Sequence, residues 1–295
     1  MHVVNALLDR IQSLANRLGK AAKQLDGADS VRAIHRFRVA SRRLREPLRA
    51  CEKALNIKAA GRIAARLRTA RRILSEVRDI DVLSKAVTNA RESVDGLSND
   101  SAVWLEQDLQ EKRRTVLRIA RDTAAVRKVP ELLNELHGLK IKKGQKYAGD
   151  RLLTYLNDAW IKRRNRLLTI EQGTVDDWHS VRLKVKKLRY LAEFCNDVGT
   201  INAQAVASAA KAMQDRLGAH HDHLFAVSCL AAIVTDEAVL QRRSDVACDV
   251  LAHCMCRLKL ANGILTDLDH EWRMFLATLH NVQVSANGTV ARHGA

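Results

Sequence analysis

Residues 35–45 read His-Arg-Phe-Arg-Val-Ala-Ser-Arg-Arg-Leu-Arg, and residues 179–189 read His-Ser-Val-Arg-Leu-Lys-Val-Lys-Lys-Leu-Arg. The two stretches lie 144 residues apart and share a His, an Arg, a basic pair, a Leu and a final Arg. At roughly 100° per residue, most cations of each stretch fall on one face of a helix and most apolar residues on the other. Each copy therefore predicts one amphipathic helix with a cationic face, and we call the two copies the first and second ridge helices.

The residues of each face follow from this helical projection. The first cationic face carries His35, Arg38, Arg42, Arg45 and Arg49, with Arg43 on its flank, and the second carries His179, Arg182, Lys186 and Arg189. The opposite faces carry Phe37, Ala40, Ser41, Leu44, Leu48 and Cys51 in the first copy, and Val181, Val185, Leu188, Ala192 and Cys195 in the second. Successive cations lie about 5 Å apart along such a helix. Because like charges in a row repel each other, an extended anion would relieve the repulsion, and the sequence favours anion binding over a solvated basic face.

Composition predicts an all-helical protein with long helices. The 295 residues include only 2 prolines and 13 glycines, and 47% are hydrophobic, which is enough for a buried core. The six cysteines show no spacing typical of a disulfide framework, so we expect mostly buried free thiols. We find neither a signal peptide nor an uncharged apolar stretch long enough to span a membrane, and we expect a cytoplasmic protein without a membrane partner.

The net charge indicates a polyanionic partner. The formal charge is +17 and the pI is near 10, which suits nucleic acid, an acidic membrane surface or a phosphate polymer. Aromatic residues make up only 4% of the chain, which argues against base stacking as a main activity.

The sequence contains no pattern typical of a catalytic site. We find no phosphate-binding loop, no dinucleotide fingerprint, no nucleophile elbow and no zinc-protease helix, and no carboxylate pair suited to acid–base work. His220, Asp222 and His223 could begin a metal site, but no remote ligand completes it, so neither a metal, a cofactor nor a catalytic residue is assigned. The role of His220, His221 and His223 stays open.

The helical pattern runs through the chain twice. We predict half-repeats at about 1–139 and 147–280, joined by a basic linker at 140–146 and followed by a disordered tail at 281–295. The first ridge helix should run from about residue 30 to Asn56, with Pro47 as a site for a kink. The basic beginning of the next helix, from Gly61, could add a second wall to the ridge, and a weaker repeat pairs residues 74–79 with 217–222.

These motifs resemble the CHAD family, the conserved-histidine alpha-helical domain. The family pattern is H-x-x-R-V-x-x-R-R-L-R in the first half and H-x-x-R-x-x-x-K-[KR]-L-R-Y in the second, and residues 35–45 and 179–190 meet both. The segment Arg78-Asp79-Ile80-Asp81-Val82 is similar to the family's R-D-x-D-V segment. The E-x-E-x-K strand of the triphosphatase-like domain that some members carry is missing.

The resemblance implies two pseudo-symmetric antiparallel helical bundles around a basic central groove or pore that binds inorganic polyphosphate without catalysis. Carried over by position, the phosphate contacts would be His35, Arg38, Arg42, Arg43, Arg45, His179, Arg182, Lys186, Lys187 and Arg189, and the helical projection adds Arg49. We therefore expect a polyphosphate-binding protein that is not an enzyme and that associates with polyphosphate granules. A non-specific nucleic-acid-binding protein and a polyphosphate-metabolising enzyme are the alternatives, and the oligomeric state is left open.

Overall fold

Helices account for all the regular secondary structure in the residues that the structure describes. A computed structural model describes residues 2–25, 27, 29–93, 96–140, 147–170 and 178–281. The helices are α1 (His2–Lys23), α2 (Ser30–Arg43), α3 (Arg45–Lys53), α4 (Lys58–Arg91), α5 (Asn99–Asp122), α6 (Ala124–Arg127), α7 (Val129–His137), α8 (Ala148–Leu168), α9 (Trp178–Asp197), α10 (Gln204–Val234), α11 (Glu237–Arg242) and α12 (Ser244–His280). No strand occurs in the described ranges, and the all-α prediction is confirmed.

The first ridge helix is divided in two, which corrects the expectation of one helix to Asn56. α2 ends at Arg43 and α3 begins at Arg45. Pro47 has no N–H to donate to the carbonyl of Arg43, four residues earlier, so the regular hydrogen-bond ladder is interrupted there. The proline therefore breaks the helix on its N-terminal side, and the break falls before Arg45.

Two other helix boundaries differ from the sequence expectation. The apolar spacing from Ser101 to about Val129 predicts a single helix that Pro130 ends. Instead α5 stops at Asp122, a single turn of helix follows, and Pro130 lies in the first turn of α7. Proline is well tolerated there because the first N–H groups of a helix have no partner within it.

The two ridge helices end in the same way. Asn56, just after α3, and Gly199, just after α9, have positive φ angles of 55° and 68°. The following amides close the helices by donating to the carbonyls of Cys51 and Cys195, at 2.9 and 3.0 Å. A residue in the left-handed region at this place is a common way to end a helix. The two matching sequences thus end in matching local structure, although the first ridge helix is divided and α9 is continuous.

The described residues form two compact units, and neither unit corresponds to one half of the sequence. Unit 1 comprises residues 1–74, 123–214 and 270–295, and unit 2 comprises residues 75–122 and 215–269, less the residues outside the described ranges. Each unit therefore takes helices from both predicted half-repeats. The half-repeats and the central groove stay predictions from the sequence, and residues 141–146 of the predicted linker and 282–295 of the predicted tail lie outside the described residues.

Unit 1 is built on α1. This helix packs against α2, α7 and α8, while α8 packs against α9. Its buried face, which includes Leu7, Ile11, Leu14 and Leu18, has the helical spacing seen in the sequence. Burial of one such leucine contributes about 1.5–3 kcal/mol to folding. Hydrophobic packing therefore fixes the positions of both ridge helices within one unit.

Unit 2 is an apolar helical core with one buried ion pair. Residues of α4, α5, α10 and α12 form this core, including Leu83, Leu105, Leu230 and Val250. Asp81, from the segment that resembles the family's R-D-x-D-V motif, accepts a hydrogen bond from Nε of Arg113 at 2.6 Å. This bond joins α4 to α5 inside unit 2.

One described helix, α10, is long and apolar enough to cross a membrane by length and composition alone. It supplies Ala226, Leu230 and Val234 to the core of unit 2, and it carries Lys211, Asp215, Arg216 and Asp222 along its length. A core helix passes the same test, so we retain the interpretation of α10 as part of the helical fold.

Candidate anion-binding site

The apolar faces of both ridge helices are buried, as the sequence predicts. Phe37, Leu44, Leu48 and Cys51 of the first copy are fully buried, and Val185, Leu188, Ala192 and Cys195 of the second are as well. This packing fixes the rotation of each helix about its axis. The opposite faces, with their cations, are therefore held in defined positions within unit 1.

Five cations from three helices form one cluster. Burial, followed by the positive charges of Arg42, Arg182, Arg38 and Arg71, lowers the pKa of Lys186 to about 7. A lysine in water has a pKa near 10.4, so this shift indicates a site where positive charge is desolvated and crowded. We name Arg38, Arg42, Arg71, Arg182 and Lys186 the central cluster. It joins the first ridge helix, the second ridge helix and α4.

The cluster continues into a longer line of positive charge. Burial, followed by the charges of Arg42, Arg45 and Arg68, lowers the pKa of Arg71 to about 10. Burial also lowers the pKa of Arg45, partly offset by Glu46, while Arg163 and Arg49 act in the same direction as burial. We name the central cluster together with Arg45, Arg49, Arg68 and Arg163 the cationic track. Its members come from α2, α3, α4, α8 and α9, all within unit 1.

Arg38 is the least exposed member of the track. Its side chain is 9% exposed, and its Nη1 donates to the carbonyl oxygen of Arg71 at 3.1 Å. This bond joins α2 to α4. Arg38 therefore has a structural role as well as a charge.

Two arginines that the sequence predicts as phosphate contacts, Arg43 and Arg189, interact with the same acid. Glu193 accepts from Nε of Arg189 at 2.7 Å and lies 3.4 Å from Nε of Arg43. Arg189 also donates to Oε1 of Gln214 at 3.2 Å and lies 5.5 Å from the centre of the Tyr190 ring. Since Glu193 balances much of their charge, these two arginines link the ridge helices and are weaker candidates for ligand contact than the track.

Glu46 is the acid that positions Arg163 of the track. Its side chain is only 3% exposed, and Oε2 accepts from Nη2 of Arg163 at 2.6 Å. Arg163 in turn donates through Nη1 to the carbonyl oxygen of Lys187 at 2.9 Å. This pair ties α3, α8 and α9 together. Removing one partner of such a buried pair costs about 3–5 kcal/mol.

The remaining predicted residues lie outside the central cluster. His35 lines a separate cavity of about 430 Å³ between α1 and α2, together with Arg17, Lys20 and Arg36. His179, at the beginning of α9, and Lys187 are exposed, and neither is among the four charges that act most on Lys186. Arg42, Arg45, Arg49, Arg182 and Lys186 thus belong to one track with Arg38, and neither histidine is among the charges that most affect the pKa of Lys186, Arg71 or Arg45.

Three members of the track were not predicted from the sequence as binding residues. Arg68 and Arg71 lie in the basic beginning of α4, which the sequence indicated only as a second wall for the ridge. Their spacing of three residues places them on the same side of that helix. Arg163 lies in a short basic run on α8, a sequence pattern that indicates a binding residue only weakly. Its position is set by Glu46, 117 residues away.

The described residues contain no cluster of three or more His, Cys, Asp or Glu side chains arranged to hold a metal ion. The six cysteines form no disulfide, and Cys51, Cys195 and Cys254 are buried. Cys248 and Cys256 are exposed, which corrects the expectation of mostly buried thiols. What the described part of unit 1 offers chemically is a row of cations suited to holding an anion.

Comparison with known proteins identifies the class to which this helical, strongly basic fold belongs. The model of the CHAD domain family matches residues 6–231, and the chain belongs to this family. The crystal structure of the CHAD domain from the plant Ricinus communis is similar over 95% of this chain and 92% of that one, with a TM-score of 0.61 at 16% identity. PptA from Streptomyces chartreusis is similar over 94% and 97%, with a TM-score of 0.59 at 16% identity. A comparison with curated protein sequences gave no match.

Proposed function

We propose that this protein binds inorganic polyphosphate along the cationic track and does not catalyse a reaction on it. Membership in the CHAD family is consistent with a polyphosphate-related function. The observation that supports the proposal most is the pKa of Lys186, lowered to about 7 by burial and by four arginines. Positive charges crowded closely enough to lower the pKa of a lysine repel one another when no ligand is bound. A bound polyanion would relieve this repulsion.

The form of the track favours an extended polymer over a compact anion. Its nine cations come from five helices of unit 1, and they influence one another in sequence from Lys186 through Arg71 to Arg45. A chain of repeating phosphates engages many of these cations at once, so each further contact is made at high effective concentration. Arginine provides two parallel donors for phosphate oxygens, whereas lysine acts as a point charge. Binding should release counterions and weaken with salt, as it does for other polyanions.

Nucleic acid is the weaker alternative as a partner. The charge would suit it, but the chain is poor in the aromatic residues that stack on unpaired bases. Catalysis is also disfavoured, since we can assign neither a metal cluster nor a nucleophile with its base in the described residues. We place the protein in the cytoplasm, associated with polyphosphate granules.

A matched pair of variants on α4 tests the proposal. Arg71 belongs to the central cluster, and Arg72 is the exposed next residue. Both Arg71→Gln and Arg72→Gln remove one positive charge. In titrations of labelled long-chain polyphosphate, we expect Arg71→Gln to weaken binding about tenfold and to reduce the salt dependence of log K by about one unit of slope. Arg72→Gln should change the affinity less than about twofold.

Equal losses in the two variants would show that net charge alone attracts the polymer and would contradict a defined track. Duplex DNA and RNA should displace the labelled polymer less effectively than unlabelled polyphosphate at the same ionic strength. To test the absence of catalysis, phosphate release and chain length are followed with and without divalent metal. Metal-dependent hydrolysis that stays with the protein through stringent purification would overturn that part of the proposal.

A further inference from the structure

Unit 2 contains a second basic cavity that the proposed function does not use. The cavity has a volume of about 920 Å³ and lies among α4, α10 and α12. Its walls are formed by Arg78, Val82, Lys85, Ala86, Asn89, Ala90, Ser93, Asp222, His223, His253, Cys256, Arg257, Lys259 and Leu260. All these residues belong to unit 2. The volume is at the upper end of the range typical of small-molecule sites.

The cavity has an excess of positive charge. Arg78 and Lys85 of α4 and Arg257 and Lys259 of α12 line it, and Asp222 is the one carboxylate among the described lining residues. Within the described residues, none of the four cations has a carboxylate oxygen within 4.0 Å. Four cations that share one cavity without a close acid are an arrangement suited to a multiply charged anion.

Two histidines lie at the α10 and α12 walls. His253 is 8% exposed, and neither of its ring nitrogens hydrogen-bonds to a described residue. Nδ1 of His223 and Nε of Arg257 are also buried without such a partner. Polar atoms in protein interiors are nearly always hydrogen-bonded, so this group of unsatisfied nitrogens in one cavity needs an explanation. A bound anion, with water between it and the deeper nitrogens, would satisfy them.

The histidines should respond to such an anion. Burial lowers the pKa of His253, Arg257 and His223 lower it further, and Asp249 acts in the opposite direction. Burial likewise lowers the pKa of His223, with Arg257 and His220 acting in the same direction and Asp222 opposing them. A negative charge in the cavity would raise both pKa values. Binding should therefore take up protons and become weaker as the pH rises.

The wall between the cations is apolar. Val82, Ala86 and Ala90 follow one another at helical spacing on α4, and Leu260 lies on α12. Inorganic phosphate and its polymers have no apolar part to cover such a surface. A ligand with an organic body and a phosphate chain would use both the apolar wall and the cations.

We propose that the unit 2 cavity binds a small organic phosphate of the nucleoside di- or triphosphate class. Its phosphates contact Arg78, Lys85, Arg257 and Lys259, and its base and sugar lie against Val82, Ala86 and Leu260. The site is independent of the cationic track of unit 1, so either proposal can fail without the other.

Thiol protection locates the ligand. Cys256 lines the cavity, whereas Cys248, also exposed and on the same helix, does not. We expect ATP, without metal, to slow alkylation of Cys256 at least about fivefold while the rate at Cys248 stays unchanged. Equal protection of both thiols, or of neither, would overturn the proposal.

Calorimetry of ATP binding tests the contacts, in a background that carries Arg42→Gln and Lys186→Met to weaken the track. Arg257→Met or Lys85→Met should weaken ATP binding at least about tenfold, and Arg242→Met, at an exposed position of unit 2, should leave it unchanged. Two independent variants are used so that a folding defect in one, checked by thermal unfolding, does not decide the result. Undiminished binding in both Lys85→Met and Arg257→Met would refute the site.

The ligand class is tested with tripolyphosphate and with the apolar wall. Tripolyphosphate has the phosphate chain of ATP without its organic body, and we expect it to bind at least about fivefold more weakly. Leu260→Asn should weaken ATP binding and leave tripolyphosphate binding unchanged. His253→Gln should reduce the loss of ATP affinity between pH 6 and pH 8. Tripolyphosphate binding as tight as ATP binding would contradict the assignment of an organic phosphate.

Discussion

Lys186→Met should make the unliganded protein more stable and its binding to polyphosphate weaker. Lys186 is partly buried among Arg38, Arg42, Arg71 and Arg182, and its pKa is lowered to about 7. Methionine has a similar length and no charge, so it fills the same space without the repulsion. Opposite effects on stability and binding are typical of a residue that is retained for function.

The magnitude follows from the pKa. A shift from 10.5 to about 7 corresponds, at 1.36 kcal/mol per pKa unit, to about 5 kcal/mol of unfavourable free energy for the charged form. Because the side chain is only partly buried and solvent screens its neighbours, we expect about 1–2 kcal/mol to be recovered in the variant. For a chain of this size that corresponds to an increase in Tm of about 2–6 °C at pH 6.

The sign of the pH dependence is fixed by the lowered pKa. Between about pH 7 and 10.5 the unfolded chain holds a proton on Lys186 that the unliganded folded protein lacks, so the contribution of this group to stability rises with pH. Polyphosphate favours the charged form, so binding takes up a proton above pH 7. Affinity of the wild-type protein should fall about tenfold from pH 6 to pH 8 on this account.

Two assays measure these effects. In thermal unfolding without ligand, the Tm of Lys186→Met should exceed that of the wild-type protein at pH 6, and this difference should be smaller at pH 9. Calorimetry with long-chain polyphosphate, whose terminal phosphates are few, should show proton uptake in wild type and little in the variant. Two results would contradict the argument that Lys186 is destabilised by the neighbouring arginines. One is that Lys186→Met destabilises the unliganded protein at pH 6, and the other is that the pH dependence of polyphosphate binding is unchanged in the variant.

Three further predictions concern other residues of the fold. Arg42→Glu and Lys186→Glu, on the first and second ridge helices, should each weaken polyphosphate binding by at least about tenfold and to a similar degree, measured by competition titration, because both charges belong to one cluster. Glu46→Ala should lower the free energy of unfolding in urea by about 3 kcal/mol, since it leaves Arg163 without its buried partner. Native mass spectrometry after alkylation should show Cys248 modified and Cys51 unmodified, because Cys51 is buried and burial raises its pKa to about 12.

Controls separate these effects from general ones. Glu111→Ala removes an exposed acid that pairs with Arg114 three residues along the same helix, so it should cost less than about 1 kcal/mol. A loss of binding in Arg42→Glu with none in Lys186→Glu would show that only the first ridge helix contacts the polymer. Rapid modification of Cys51 in the folded protein would contradict its burial.

The sequence predicted the helical class and the rotation of the ridge helices because both depend on local periodicity. Phe37, Leu44, Val185 and Leu188 are buried where the 3.6-residue repeat places them. The break at Leu44 was less predictable, since the proline that causes it lies three residues later. Local pattern also could not show that each compact unit takes helices from both halves of the chain.

The binding residues were predicted in part, for a related reason. A row of cations on one helix can be read from spacing, and Arg42, Arg182 and Lys186 do lie in one cluster. Spacing does not show which cations are balanced by acids from elsewhere. Glu193, near Arg43 and Arg189, removes two predicted residues from the track. Arg163 is held in the track by its hydrogen bond to Glu46, an acid far away in the sequence.

The most direct test of the proposed function is the dependence of affinity on polymer length. Polyphosphates of defined length, from tripolyphosphate to chains of about one hundred units, are titrated at fixed pH and ionic strength. We predict that affinity per chain rises steeply with length until the polymer covers the cationic track and then levels off, and that Arg71→Gln flattens this rise while Arg72→Gln does not. Equal affinity for tripolyphosphate and the longest chain would contradict binding along an extended track.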